Sequence, residues 1–216
     1  MDAKNRNGQP ATLVVVAPEG LCLDFANTRQ WRGRPEPVET LKSAPDLLDW
    51  LRSALHPPEA LAQALIARWE AEARSAEADL AAAIALRETI QRIFDRVAQG
   101  MAPEEADLDG LNQALATLPA RRGLARSSAG VYGWNLALAP PILPDLLAPI
   151  LWSAADLLVK PQLGRVRRCA NRDCLWLFVD DSKSGNRRWC SMSSCGNRAK
   201  AQRHYRRRKG AAQAAG

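Results

Sequence analysis

Cys169-Ala170-Asn171-Arg172-Asp173-Cys174 and Cys190-Ser191-Met192-Ser193-Ser194-Cys195 are two cysteine pairs with the same internal spacing, separated by fifteen residues. Zn²⁺ takes four soft thiolates in a tetrahedron, and two short knuckles joined by a longer loop bring four sulfurs to one point. Four intervening residues lie within the spacing of structural zinc sites. The pattern therefore reads as one structural Zn²⁺ held by Cys169, Cys174, Cys190 and Cys195, with redox thiols or an iron–sulfur cluster as alternatives. From Gly196 to Lys209 the chain has no proline, no further glycine and many basic side chains. This predicts a basic helix anchored to the metal at its first turn.

Working outward, residues 166–168 and 175–179 are expected to be the two strands of a hairpin with the first knuckle at its turn. Trp176, Phe178 and Trp189 would supply the minimal core that so small a module needs around its metal. Residues 180–186 read as the connecting loop. A helix whose first turn holds Cys195 gives a treble-clef-like layout, because a helix N-terminus favours a thiolate electrostatically. Gly196 is expected to let the backbone approach the tetrahedron closely.

These residues resemble the CGNR zinc finger, a bacterial family named for Cys195-Gly196-Asn197-Arg198 as they stand here. The similarity includes residues 168–174, Trp176, Phe178, Arg187-Arg188-Trp189-Cys190-Ser191-Met192 and Arg203-His204-Tyr205, and spans roughly residues 165–209. In that family the finger usually follows an ABATE domain, and Leu21-Cys22-Leu23-Asp24-Phe25-Ala26-Asn27-Thr28 is similar to the start of one. The resemblance implies a stress-linked bacterial transcription regulator.

Charge divides the chain. Residues 160–209 carry fifteen lysines and arginines against three acids, a net +12, whereas the remainder of the 216 residues carries −5. An acidic body with a basic terminal module is expected when only that module meets a polyanion. At helical spacing Arg198, Gln202, Arg206 and Lys209 share a face, with Arg203 and Arg207 beside it and Arg208 on the flank. The candidate nucleic-acid contacts are these together with Arg187, Arg188, Asn197 and Lys200. Arginine recognises phosphate and guanine, and Gln or Asn can read adenine. The choice of DNA over RNA comes from the resemblance, since a basic helix with aromatic neighbours suits either polymer.

The body, residues 11–159, is expected to be mostly helical. Ser43 and Asp46 form a capping-box start, followed by an apolar stripe of Leu47, Leu48, Leu51 and Leu55. Residues 59–99 contain neither proline nor glycine and read as two amphipathic helices broken near Arg74-Ser75. Residues 103–118 repeat the logic. Alternating apolar positions predict a hairpin over 124–138 and a half-buried strand over 21–25, which together would form one small sheet. Cys22 reads as a small buried hydrophobe in that strand. Residues 145–159 are so apolar that they must be a central core helix or a dimer face. Residues 29–37 read as a solvated loop whose arginines are an alternative anion site, and 160–164 as a hinge into the module at 165–209. The fold class is α+β: a helical body with a small antiparallel sheet, plus a treble-clef-like zinc finger.

No run of about 18 apolar residues is present and Met1–Pro10 is polar and read as disordered, so a cytoplasmic, nucleoid-associated protein without membrane contact is expected. In that compartment thiols stay reduced, which favours metal over disulfide. The two histidines have no neighbouring carboxylate pair, and no phosphate-cradling loop or nucleophile elbow appears, so the reading is a regulator and not an enzyme. Its partner is DNA, with or without homodimerisation. The alternative is an RNA-binding or protein-docking zinc module on a ligand-sensing helical domain, with Asp24, Asn27 and the arginine loop as the visible polar candidates.

Overall fold

The computed structural model describes residues 11–15, 18–121, 123–127, 130–138 and 143–214; the side chains of 11–13, 73, 137, 138 and 206–214 lie outside that description, as does Met1–Pro10. The elements run β1 (Ala11–Val15), α1 (Leu21–Ala26), β2 (Arg29–Gln30), β3 (Val38–Glu39), α2 (Ala44–Leu55), α3 (Glu59–Ala71), α4 (Ala73–Ala98) and α5 (Glu105–Ala116). They continue with β4 (Leu124–Arg126), β5 (Tyr132–Leu138), α6 (Leu143–Val159), a 3₁₀ turn (Pro161–Arg165), β6 (Val166–Arg168), β7 (Leu177–Val179), a π-helical turn (Met192–Gly196) and α7 (Asn197–Ala214). The mostly helical α+β class holds.

Segment 21–25 is a helix, not the strand its alternation predicted. Leu21, Cys22, Leu23, Phe25 and Ala26 are all buried, so α1 is apolar around its circumference and the period-two pattern carried no information. Gly20, at φ 81°, turns the chain into it. The exposed N–H left at its start is met by the core, where Cys22 N donates to Ser153 Oγ of α6 at 3.1 Å. Cys22 is the buried hydrophobe expected, and burial pushes its thiol up to about 12.

The small sheet is therefore assembled differently. Its order is β1-β5-β4, antiparallel throughout, with Ala11 opposite Leu138 and Leu124 opposite Trp134. The stretch Ala11–Val15, which is β1, supplies the third strand in place of segment 21–25.

The other helices follow their sequence signals. Asp46 N donates to Ser43 Oγ at 3.3 Å and the Ser43 hydroxyl donates to Asp46 Oδ2 at 2.8 Å, completing the cap of α2. The long helical stretch breaks at Glu72, two residues before the position expected, and Trp69 Nε1 donates to Asp79 Oδ2 across the joint at 2.8 Å. Helix α6 buries eleven side chains from Leu143 to Leu157 within the chain, which makes it the central core helix. Residues 161–165 are a 3₁₀ turn with Leu163 packed on the core, so the segment read as a hinge is a seated connection.

A polar lattice crosses the middle of the body. Arg87 of α4 is 1% exposed and its guanidinium pairs with Glu39 at 2.6 Å and Glu88 at 2.9 Å. Burial alone would raise both carboxyls, but the Arg87 and Arg32 guanidiniums hold Glu39 and Glu88, respectively, below the usual carboxylate range. Arg32 donates to both Glu88 oxygens and to the Ala26 carbonyl. The start of the loop of residues 29–37 is thus pinned to α4 and α1 through Arg32, while residues 33–36 are exposed, as a solvated loop would be.

Candidate metal centre and its seat on the body

The first knuckle is shaped by Asn171. Its side-chain oxygen accepts from Asp173 N at 3.1 Å, and its carbonyl accepts from Cys174 N at 2.9 Å and Leu175 N at 3.3 Å. Leu175 takes the left-handed conformation, φ 59°, that lets the chain turn back into β7. The second knuckle is tied to the first by Ala170 N donating to the Arg188 carbonyl at 2.8 Å. Asp180, fully buried, accepts from Ser182 N, the Ser182 hydroxyl and Arg187 N, and these bonds, that from the Ser182 hydroxyl foremost, hold its carboxyl below the usual range. This organises the connecting loop.

Four sulfurs converge as a result. All lie within 4.8 Å of one another, with Cys174 and Cys190 3.8 Å apart and Cys190 and Cys195 also 3.8 Å apart. A tetrahedron of sulfurs about 2.3 Å from a zinc ion has edges of about 3.8 Å, whereas a disulfide needs about 2.05 Å. The cysteines are free and fit one metal ion. Hydrogen bonds from the Cys174 and Cys190 thiols hold Cys169 far below the ordinary thiol range, while Cys169 in turn pushes Cys174 and Cys190 up. One thiolate thus suppresses its neighbours, and a dication is what allows all four to ionise together. Asn171 Nδ2 donates to Cys195 Sγ at 3.4 Å, a hydrogen bond of the kind that steadies a metal thiolate. With four protein ligands the site is closed, so zinc here fixes structure and offers no position to a substrate.

Cys195 sits in the π-helical turn ahead of α7, whose Gly196 N donates to the Ser191 carbonyl. A Cβ at Gly196 would meet Met192 Sδ at 2.7 Å, so the glycine's smallness accommodates the Met192 side chain.

The finger and the body are interlocked through exchanged side chains. Alternation along the hairpin puts Val166, Leu177 and Val179 against the body's core and Phe178 against the cysteines. Arg168, on the same face as Val166, pairs with Asp95 of α4 at 3.1 Å. Asn27, just past α1, acts as a false peptide for the edge of β7: its Nδ2 donates to the Leu177 carbonyl at 2.8 Å and its Oδ1 accepts from Leu177 N at 3.0 Å. In return the body sends Trp31 into the cysteine cluster. Trp31 has φ 54°, and its ring is flanked by the Arg34 guanidinium at 4.3 Å and that of Arg198 at 4.6 Å. Gly33 N donates to the Asp173 carbonyl, and a Cβ at Gly33 would lie 1.7 Å from the Arg172 carbonyl oxygen.

The residues singled out for nucleic acid are spread over two settings. Arg187 is engaged within the finger: it donates to the Trp189 and Cys190 carbonyls and to Asp181, and its guanidinium lies 4.7 Å from the Phe178 ring. Arg188 is exposed and lies over Trp189. Asn197 reaches back to the Ser193 carbonyl at 3.4 Å. Lys200, Gln202 and Arg203 are exposed along α7, while the side chains of Arg206, Arg207, Arg208 and Lys209 lie outside the described residues. Trp31, Gly33 and Asn27 were missed as parts of the metal module. Only the glycine and tryptophan in a polar loop could have signalled them.

Residues 19–161 match the ABATE family, described as "putative stress-induced transcription regulator", and residues 165–208 match the CGNR zinc finger. No curated protein matches the chain. Neither family is an enzyme family. With the helical body, the four-cysteine centre and both matches in hand, the chain belongs to the ABATE family and carries a C-terminal CGNR zinc finger.

Proposed function

We propose that this protein is a stress-responsive, DNA-binding transcription regulator that meets nucleic acid with α7. One observation carries the reading. From Lys200 to Tyr205 every side chain of α7 is exposed, Tyr205 at 68%, and Arg198, Lys200 and Arg203 have no ion-pair partner among the described residues. The eighteen residues of α7 contain seven lysines and arginines and no acid, and a helix of that composition repels itself unless a polyanion lies alongside. Several arginines outside α7 are by contrast matched to acids, as Arg32, Arg87, Arg92, Arg121 and Arg168 are.

Along the first turn of α7 runs a cavity of about 400 Å³ bounded by Asn171, Arg172, Asp173, Arg198 and Gln202. Arg172, Arg188, Lys200 and Arg203 are the phosphate contacts, joined by the arginines further along α7, and Gln202 is the base-reading group nearest the metal-fixed end. Arg187 holds the second knuckle. Arg198 is held to Trp31 and positions the helix.

The test is binding to a randomised duplex DNA library and to matched RNA at several salt concentrations. Duplex DNA is preferred, and Arg203→Ala lowers affinity for all sequences equally while reducing the log–log salt slope by about 0.9. Preference for RNA, or a slope unchanged by that substitution, refutes the assignment.

A further inference from the structure

Between the body and the finger lies an open cleft of about 500 Å³, within the range of small-molecule sites. Trp50 of α2 and Trp176 and Phe178 of the finger line it, with Asp24 of α1 at its edge. Most of its polar groups already have work. Both ends of the Asn27 amide hold Leu177, Thr28 Oγ donates to the Phe25 carbonyl and accepts from Arg87, and Thr40 donates to the Thr28 carbonyl. Arg187, the cation of the lining, is matched to Asp181 and to the Trp189 and Cys190 carbonyls.

Three lining side chains are left over among the described residues, those of Gln30, Asp24 and Trp176. The Asp24 carboxylate has no hydrogen bond or ion pair among the described residues, and the Trp176 indole N–H is buried without a partner. Phe178 already carries the Arg187 guanidinium on its ring, but a carboxylate in one cleft with the rings of Trp50 and Trp176 is complementary to a cation on an aromatic body, because ring faces and the carboxylate both attract positive charge. An anionic ligand would find an unmatched acid and no free cation. We propose that this cleft binds a protonated arylalkylamine, its ring against Trp50 and Trp176 and its ammonium on Asp24.

The cleft is walled by both parts of the protein, so an occupant strengthens their contact. Arg187 carries the contact onward, since it lines the cleft and donates to the carbonyl of the metal ligand Cys190. Occupancy thereby reports to the finger.

The experiment is a titration of the full-length, zinc-loaded chain with tyramine, followed by tryptophan fluorescence and by calorimetry. Its controls are 3-(4-hydroxyphenyl)propionate, which has a similar ring and opposite charge, and ethylamine, which has the charge and no ring. Tyramine is expected to saturate one site and raise the melting temperature, with neither control doing so. Asp24→Asn, at an exposed position, is expected to weaken tyramine by about tenfold through loss of the charge-assisted contact, with zinc content unchanged. Equal binding of the carboxylate analogue, equal binding to Asp24→Asn, or no saturation at millimolar tyramine overturns the proposal. The comparison of amine with carboxylate uses the unsubstituted protein, so it decides the matter even if the variant fails to fold. None of these readouts involves nucleic acid.

Discussion

In the body, α1 to α6 close around apolar side chains from Val15 to Leu157, a core that rests chiefly on buried apolar area and that Val166 and Leu177 of the finger complete. In the finger the fully enclosed set is Cys169, Cys174, Phe178 and Cys195, three of them metal ligands. A module of some forty residues cannot bury enough apolar surface to fold by hydrophobic burial, so it depends on metal ligation and on its neighbour. The contrast teaches that the seam is where the finger acquires rigidity: Val166 and Leu177 sit in the body's core, and Trp31 sits in the finger's. The basic helix is consequently aimed by the body as well as by zinc.

Metal removal tests the contrast most severely. Chelation, or Cys174→Ser, removes a contribution on the order of 10 kcal/mol and unfolds residues 166–196. The body stays helical but loses the burial of Val166 and Leu177, about 3 kcal/mol, so its melting temperature falls by about 10 °C. Calorimetry of the metal-free chain checks this, and an unchanged body transition breaks the interlock. Next in size is Gly33→Ala. The added methyl cannot share space with the Arg172 carbonyl, so the knuckle must move and about 3 kcal/mol is lost, seen as faster hydrogen exchange at Cys174 and Leu175. Full retention of protection would mean that the loop is not clamped there.

Asn27→Ala leaves the N–H and C=O of Leu177 without their partner and costs about 2 kcal/mol. Denaturant unfolding measures it, and Asn27→Asp distinguishes the mechanism because a carboxylate can accept from Leu177 N but cannot donate to its carbonyl. The smallest effect is that of the stacked arginine. A double-mutant cycle of Trp31→Ala and Arg198→Ala should give a coupling of about 0.5 to 1 kcal/mol in finger stability, with relative affinities across a DNA library unchanged by Arg198→Ala alone. Altered base preference without coupling would return Arg198 to a reading role.

The hairpin at the first knuckle, the four ligands, the cap at Ser43 and the central helix were all legible, since each rests on spacing within a few residues. Helix α1 was not. A segment buried on every side has no polar face from which a period can be read, and Leu21, Leu23 and Phe25 alternate without meaning. The π-helical turn at Cys195 and the use of Gly196 to seat Met192 were equally hidden, being set by side chains that meet only after folding.

By itself, then, the sequence determined that four thiolates would gather on one metal, that a basic helix would leave that metal, and that an acidic helical body would precede it. These follow from ligand chemistry, charge and local periodicity. Only the tertiary structure decided that body and finger share their cores. The bonds from Asn27 to Leu177, from Gly33 to Asp173 and from Arg168 to Asp95 join residues 73 to 150 positions apart, and no local propensity encodes a contact whose two halves are unrelated along the chain.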